Sequence, residues 1–147
     1  MDPVRRGLFD DLLDRIIQQL PEALRVLLEE VPLIVEDEPS PRLLADLGMA
    51  LGGPNLCGLH SGIPLTQRSV ETAARLPDRM MLFRGPIMRV ARFRSTSLGR
   101  HQRAGELRRQ IRLTLLHEIG HHFGLNEEEL ADLQEGPARD EAIAKRI

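Results

Sequence analysis

Residues 115–127 read LLHEIGHHFGLNE and contain the pattern His-Glu-x-x-His at His117, Glu118 and His121. Apolar residues precede and interleave the pattern, which is typical of a helix with one side in a core. Residues four apart stand one turn above each other in a helix, so the two imidazoles project from one face. Both can then reach one metal ion at about 2.1 Å. The stretch therefore predicts a zinc site on a helix.

Neighbouring residues on this helix are expected to have different roles. Glu118 lies beside the histidine face without sharing it, where a carboxylate can act as general base on a water activated by the metal. His122 points about 100° away from His121, so we expect it to hydrogen-bond locally rather than bind the metal. The opposite, core-facing side is predicted to consist of Leu115, Leu116, Ile119 and Phe123.

Catalytic zinc usually has three protein ligands, so a third must follow the two histidines. Gly124 can leave the helix through a left-handed conformation and redirect the chain, which favours Glu127 as that ligand. Glu128, Glu129 and Asp132 are alternatives at nearby positions. A second arrangement, less favoured, takes the ligand from a later helix, where the acids are Glu135, Asp140 and Glu141.

Such a site predicts metal-assisted hydrolysis of an amide, and this reaction needs a donor for the developing oxyanion. The chain has no Tyr, so a tyrosine donor is excluded. The candidates are His60, His101 or an arginine, and the sequence does not choose among them.

The run TLLHEIGHHFGL at residues 114–125 resembles the motif of the minimal zincin-like metallopeptidases, a family of small bacterial proteins with a compact metal site. Similarity continues upstream and covers most of the chain between about Phe9 and Leu133, through the segments 35–39, 62–66, 76–79 and 83–87.

The resemblance implies an α+β zincin-like fold, in which a small twisted sheet packs with N-terminal helices and an active-site helix. It implies zinc on His117, His121 and an acidic residue at the Glu127 position, and peptidase activity. Two departures bear on substrate contacts: His60-Ser61 stands where a Tyr-Glu-like pair is expected, and Gln67 stands where an acid is expected.

Length and composition predict one domain over residues 1–147, with a core at about 8–134 and a tail at about 135–147. The single cysteine, Cys57, excludes an internal disulfide and is expected to be a small packed residue. Asp10, Asp11 and Asp14 interrupt the segment where a signal peptide would need an apolar run, and no stretch is long enough to span a membrane. We expect a cytoplasmic protein.

Hydrophobic periodicity predicts the order of the elements. Helices are expected at 8–19, 21–28, 104–124 and 127–133. Strands are expected at 31–35 and 79–83, with 87–93 pairing beside the second. Residues 40–66 are predicted to form a long loop with a helical turn at 43–47.

Charge is unevenly distributed, although the net charge is only −2. Residues 79–112 hold ten arginines and one acid, Glu106, whereas residues 118–141 hold eight acids and one arginine. The segment Arg84 to Arg112 could bind nucleic acid or an acidic partner. We favour the alternative that its arginines lie on solvated faces and pair with the acidic end, because no aromatic interleaving accompanies them.

The favoured function is a zinc metallopeptidase with one zinc ion per chain, acting on an unidentified peptide or protein. The first alternative is a metal-binding regulatory protein that binds nucleic acid or an acidic partner through the Arg84 to Arg112 segment without proteolysis. The second is a structural zinc domain in which the fourth metal position is closed.

Overall fold

The computed structural model describes residues 1–49, 55–61, 78–126 and 128, without the side chains of Arg100, His101, Arg103 and Ala104. These residues form five helices and three strands. The helices are α1 (Pro3–Gln19), α2 (Glu22–Glu30), α3 (Pro41–Asp46), α4 (Arg84–Ser95) and α5 (Arg100–His122). The strands are β1 (Leu33–Glu36), β2 (Gly58–Ser61) and β3 (Arg79–Phe83), and the expected α+β class is confirmed.

The three strands form one mixed sheet in the order β1-β3-β2. Strand β3 lies in the centre, parallel to β1 and antiparallel to β2. Its residues from Met80 to Phe83 are all buried, which explains why this segment is a continuous apolar run rather than an alternating one. Strand β2 is the antiparallel edge, with His60 opposite Met80 and Gly58 opposite Leu82.

Helix starts follow local capping chemistry. The Arg5 N–H donates to Asp2 Oδ1 at 2.9 Å at the start of α1, and the Leu43 N–H donates to Ser40 Oγ at 3.0 Å at the start of α3. A proline follows each cap, where its fixed φ suits the first helical turn and no N–H is lost.

Helix α5 is the centre of the packing, because it contacts α1, α4, β2 and β3. Leu115, Leu116 and Ile119 are buried, as predicted, and Phe123 is partly buried against the same core. Burying each such side chain contributes roughly 1.5–3 kcal/mol. The core also contains residues from the N-terminal helices and the central strand: Phe9, Leu13, Ile16, Leu24, Leu27, Met80 and Leu82.

Arg84 joins three parts of the fold by ion pairs. Its Nε and Nη2 donate to the two carboxylate oxygens of Asp10 on α1 at 2.8 and 3.1 Å. Its Nη1 donates to Asp37 Oδ1, just after β1, at 3.0 Å. Arg6 also donates to Asp37, and this hydrogen bond is the main reason that the pKa of the Asp37 carboxyl is lowered.

Two predictions of secondary structure were wrong. Residues 87–93 belong to helix α4 and do not pair with β3; buried Ile87 and Ala91 stand four apart, which is the helical period. The predicted loop at 40–66 contains strand β2, which has too few apolar residues to show an alternating pattern. Helix α5 also begins four residues earlier than predicted, at Arg100.

The predicted helix at 127–133, the tail at 135–147 and the segment 62–66 lie outside the described residues, except for Glu128. No helix in the described ranges is long and apolar enough to cross a membrane.

Candidate metal centre

His117 and His121 project from the last two turns of α5, with ring centroids 4.4 Å apart and ring planes at 82°. Ligand atoms of His117, Glu118 and His121 all lie within 4.8 Å of one another. Two imidazoles are donors that suit zinc, and the Glu118 carboxylate lies beside them, where a general base is expected. The side chains present therefore fit a zinc ion, with the two imidazoles on one helical face as the spacing predicts.

Helix α5 ends in the left-handed turn that the sequence predicts at Gly124. Gly124 has a φ of 71°, the left-handed conformation predicted for it. Its N–H donates to the His121 carbonyl at 3.0 Å, and the Leu125 N–H donates to the Gly120 carbonyl at 3.0 Å. This pair of bonds is a Schellman motif, which ends the helix while satisfying its last carbonyl groups.

The favoured third ligand, Glu127, lies outside the described residues, as do Glu129, Asp132, Glu135, Asp140 and Glu141. Glu128 is described and exposed. Among the described side chains, it is not part of the group that His117, Glu118 and His121 form.

Glu118 is nearly enclosed, with only 5% of its surface exposed. Strand β2 passes close to it at Gly58. A Cβ built on Gly58 would lie 2.9 Å from the Thr114 methyl group and 3.0 Å from Glu118 Cγ and Oε1. Glycine therefore permits the edge strand to approach the helix and cover the carboxylate. Burial raises the pKa of the Glu118 carboxyl to about 7.

A polar cavity of about 340 Å³ lies beside these residues. Its lining includes His117 and Glu118 together with two arginines, Arg94 of α4 and Arg109 of α5. Cys57 also lines the cavity, packs against the core, and has a thiol pKa raised by burial, which agrees with the small packed residue predicted.

The candidates for the oxyanion donor lie in different parts of the structure. His60 lies beside His122 and Asp78, and it is absent from the lining of the cavity. The side chain of His101 is outside the described part of the structure. Arginine is the candidate type that the structure brings to the cavity, at Arg94 and Arg109.

His122 has contacts with distant parts of the chain, which the prediction of local hydrogen bonding did not include. His122 Nδ1 lies 3.4 Å from His60 Nε2 and 3.8 Å from Asp78 Oδ2. Sequence reasoning missed this contact because it depends on the packing of β2 against α5, which no local pattern encodes.

Several arginines of the basic segment are paired within the fold. Arg84 binds Asp10 and Asp37 as described above, Arg89 binds Glu38, and Arg109 contacts Glu106 at 3.4 Å. This pairing favours a structural role for these charges, although their partners are mainly acids before residue 40. The acidic C-terminal portion is mostly outside the described residues.

A helix carrying His-Glu-x-x-His beneath the edge of a small mixed sheet is the arrangement expected of the zincin class of metalloproteins. The family model of the zincin-like metallopeptidases matches residues 28–136, which is most of the chain. The protein belongs to this family, and membership supports a zinc metallopeptidase in general terms. No curated protein matches the chain.

The buried Glu118 predicts a pH dependence of stability in the metal-free protein. Its carboxyl ionises near 4.5 when unfolded and at about 7 when folded, so between these values the folded state holds a proton that the unfolded state has lost. The free energy of unfolding should therefore fall as pH rises through this window, by up to about 3 kcal/mol. Urea denaturation from pH 4.5 to 8 measures it. Glu118→Gln should lack this fall, and parallel curves for the two proteins would contradict the prediction.

The close approach of β2 to α5 predicts that alanine has opposite effects on stability at two glycine positions. Gly58→Ala should lower the free energy of unfolding by about 1–3 kcal/mol, because the new methyl group overlaps Thr114 and Glu118. Gly105→Ala is the matched control: it lies within α5, and its Cβ would meet nothing within 4 Å. That substitution should raise the free energy of unfolding by about 0.5–1 kcal/mol. Urea titration of both variants checks the pair, and equal effects would contradict it.

Proposed function

We propose that the protein is a zinc-dependent peptidase in which His117, His121 and Glu127 hold the metal and Glu118 is the general base. The observation that carries the proposal is the convergence of ligand atoms of His117, Glu118 and His121 within 4.8 Å, at the edge of a polar cavity. Membership of the zincin-like metallopeptidase family supports it.

A zinc ion held by these residues would polarise the substrate carbonyl and lower the pKa of a water molecule, so that this water could lose a proton near neutral pH. Glu118 takes the proton from this water and then passes it to the leaving amine. In the metal-free protein burial raises the pKa of the Glu118 carboxyl to about 7, which makes it a stronger base than an exposed glutamate. Gly58 lies close to the carboxylate and limits the positions that it can adopt.

The developing oxyanion needs a positive or hydrogen-bonding neighbour. Arg94 and Arg109 line the cavity, and a guanidinium group offers several N–H donors in a fixed plane. We therefore infer that an arginine takes the role for which the chain has no tyrosine.

Glu118→Gln tests the proposal, because it removes the base and keeps the shape of the side chain. We expect peptide hydrolysis to fall at least 100-fold while the metal is retained, since general-base catalysis contributes about 10²–10⁴-fold. Hydrolysis of a peptide library by mass spectrometry and metal content by elemental analysis provide the two readouts.

His117→Ala, His121→Ala and Glu127→Ala should each lose the metal of this site together with activity. Full hydrolysis by Glu118→Gln, or metal retained at this site in His117→Ala, would refute the proposed roles.

The two arginines of the cavity also predict a substrate preference. Arg94 is exposed near the end of α4, beside the cavity that holds His117 and Glu118. A carboxylate on the substrate can form a charge-assisted hydrogen bond there, worth about 1.5–3 kcal/mol. We propose that the enzyme prefers peptides with an acidic residue near the cleaved bond.

Arg94→Gln should reduce kcat/KM for acidic peptides about tenfold relative to neutral peptides of equal length. Arg92→Gln is the matched control, because Arg92 is also exposed on α4 but lines a different cavity. Competition between acidic and neutral peptides measures the ratio. An unchanged ratio in Arg94→Gln, or an equal change in Arg92→Gln, would overturn the preference without affecting the assignment of Glu118.

A further inference from the structure

A second group of metal-ligating side chains lies beside the end of α5. It consists of His60 on β2, Asp78 immediately before β3, and His122, the last residue of α5. Their side chains are only 5%, 12% and 4% exposed. The group is separate from the first, because His122 points about 100° away from His121 around the helix.

The packing of β2 against α5 explains how these residues meet. Gly58 and His60 stand two apart on the strand and so face the same side. Thr114, Glu118 and His122 stand four apart on the helix and form one stripe. Gly58 lies against the first two residues of this stripe, and His60 lies against the third. The strand therefore runs along the helix and brings one imidazole to another at its end.

The spacing of the donor atoms matches a metal ligand set. His60 Nε2 lies 3.4 Å from His122 Nδ1 and 4.0 Å from Asp78 Oδ1, and His122 Nδ1 lies 3.8 Å from Asp78 Oδ2. Tetrahedral zinc with bonds of about 2.1 Å separates its ligand atoms by about 3.4 Å. The imidazole–carboxylate distances exceed the roughly 2.7–2.9 Å of a charge-assisted hydrogen bond. These three side chains surround a space that one ion can fill with small adjustments.

We propose that His60, Asp78 and His122 form a second metal site for a divalent transition metal, with zinc as the ion that two imidazoles and one carboxylate suit best. A cation there would pair with the negative charge of Asp78. The ion also links the end of α5, the edge strand β2 and the start of β3. It therefore stabilises the helix end that carries His121, and its role is structural.

Zinc stoichiometry tests the second site. The full chain is stripped with chelator, reloaded with zinc alone, passed through a desalting column and measured by elemental analysis. Wild type should hold two zinc ions per chain, and His60→Ala or Asp78→Asn should hold one. His101→Ala is the matched control, because it removes the histidine that neither proposed site uses, and it should keep two.

The double variant His117→Ala/His121→Ala tests the second site without changing any of its own residues. It should retain one zinc ion per chain, and zinc should raise its Tm by several degrees. Adding His60→Ala to this variant should abolish both effects, with circular dichroism confirming the helical fold. Failure of the double variant to bind zinc would overturn the proposal.

A wild type with one zinc ion that is unaffected by His60→Ala would also overturn the proposal. This result would identify His60, Asp78 and His122 as a hydrogen-bonded group without metal. Neither result depends on peptidase activity, so the second site and the proposed function can fail separately.

Discussion

The structure depends on the rotational setting of helix α5, which the burial of Leu115, Leu116 and Ile119 fixes. A helix locked on one side presents its remaining residues in fixed directions, so the core determines where His117 and His121 point. Turning the helix by one residue would move polar side chains into the core, where each unpaired group costs several kcal/mol. The same apolar contacts that fold the chain therefore orient the candidate metal ligands, and the candidate site requires no separate scaffold.

The edge strand β2 adds the second constraint. It is only four residues long, yet it covers Glu118 at Gly58 and meets His122 at His60. Because burial raises the pKa of Glu118 to about 7 in the metal-free protein, this strand affects the basicity of the carboxyl as well as its position. A side chain larger than hydrogen at residue 58 would separate strand and helix, so the absence of a Cβ there has a direct chemical consequence.

The arginines of the basic segment have different roles in different parts of the fold. Arg84 and Arg89 are tied to acids of the N-terminal half, where they hold α4 against the end of β1. Arg94 and Arg109 line the cavity next to Glu118, and Arg109 also contacts Glu106. The basic segment thus supplies both structural ion pairs and a positively charged wall of the cavity beside the proposed site. A uniform surface for binding nucleic acid would not require these two roles.

Local sequence determined much of this protein. The period of α5, its left-handed end at Gly124, the caps at Asp2 and Ser40 and the buried strand β3 all follow from residues within a few positions of each other, because turns and helices are short-range structures. Tertiary structure alone decided that 87–93 is helical, that residues 58–61 are a strand, and that His60 meets His122. A short edge strand has no pattern of its own, since its backbone partners and covering helix come from distant parts of the chain. Tertiary structure also decided the burial of Glu118. The motif identified this residue in the sequence, and the packing of β2 determined its environment.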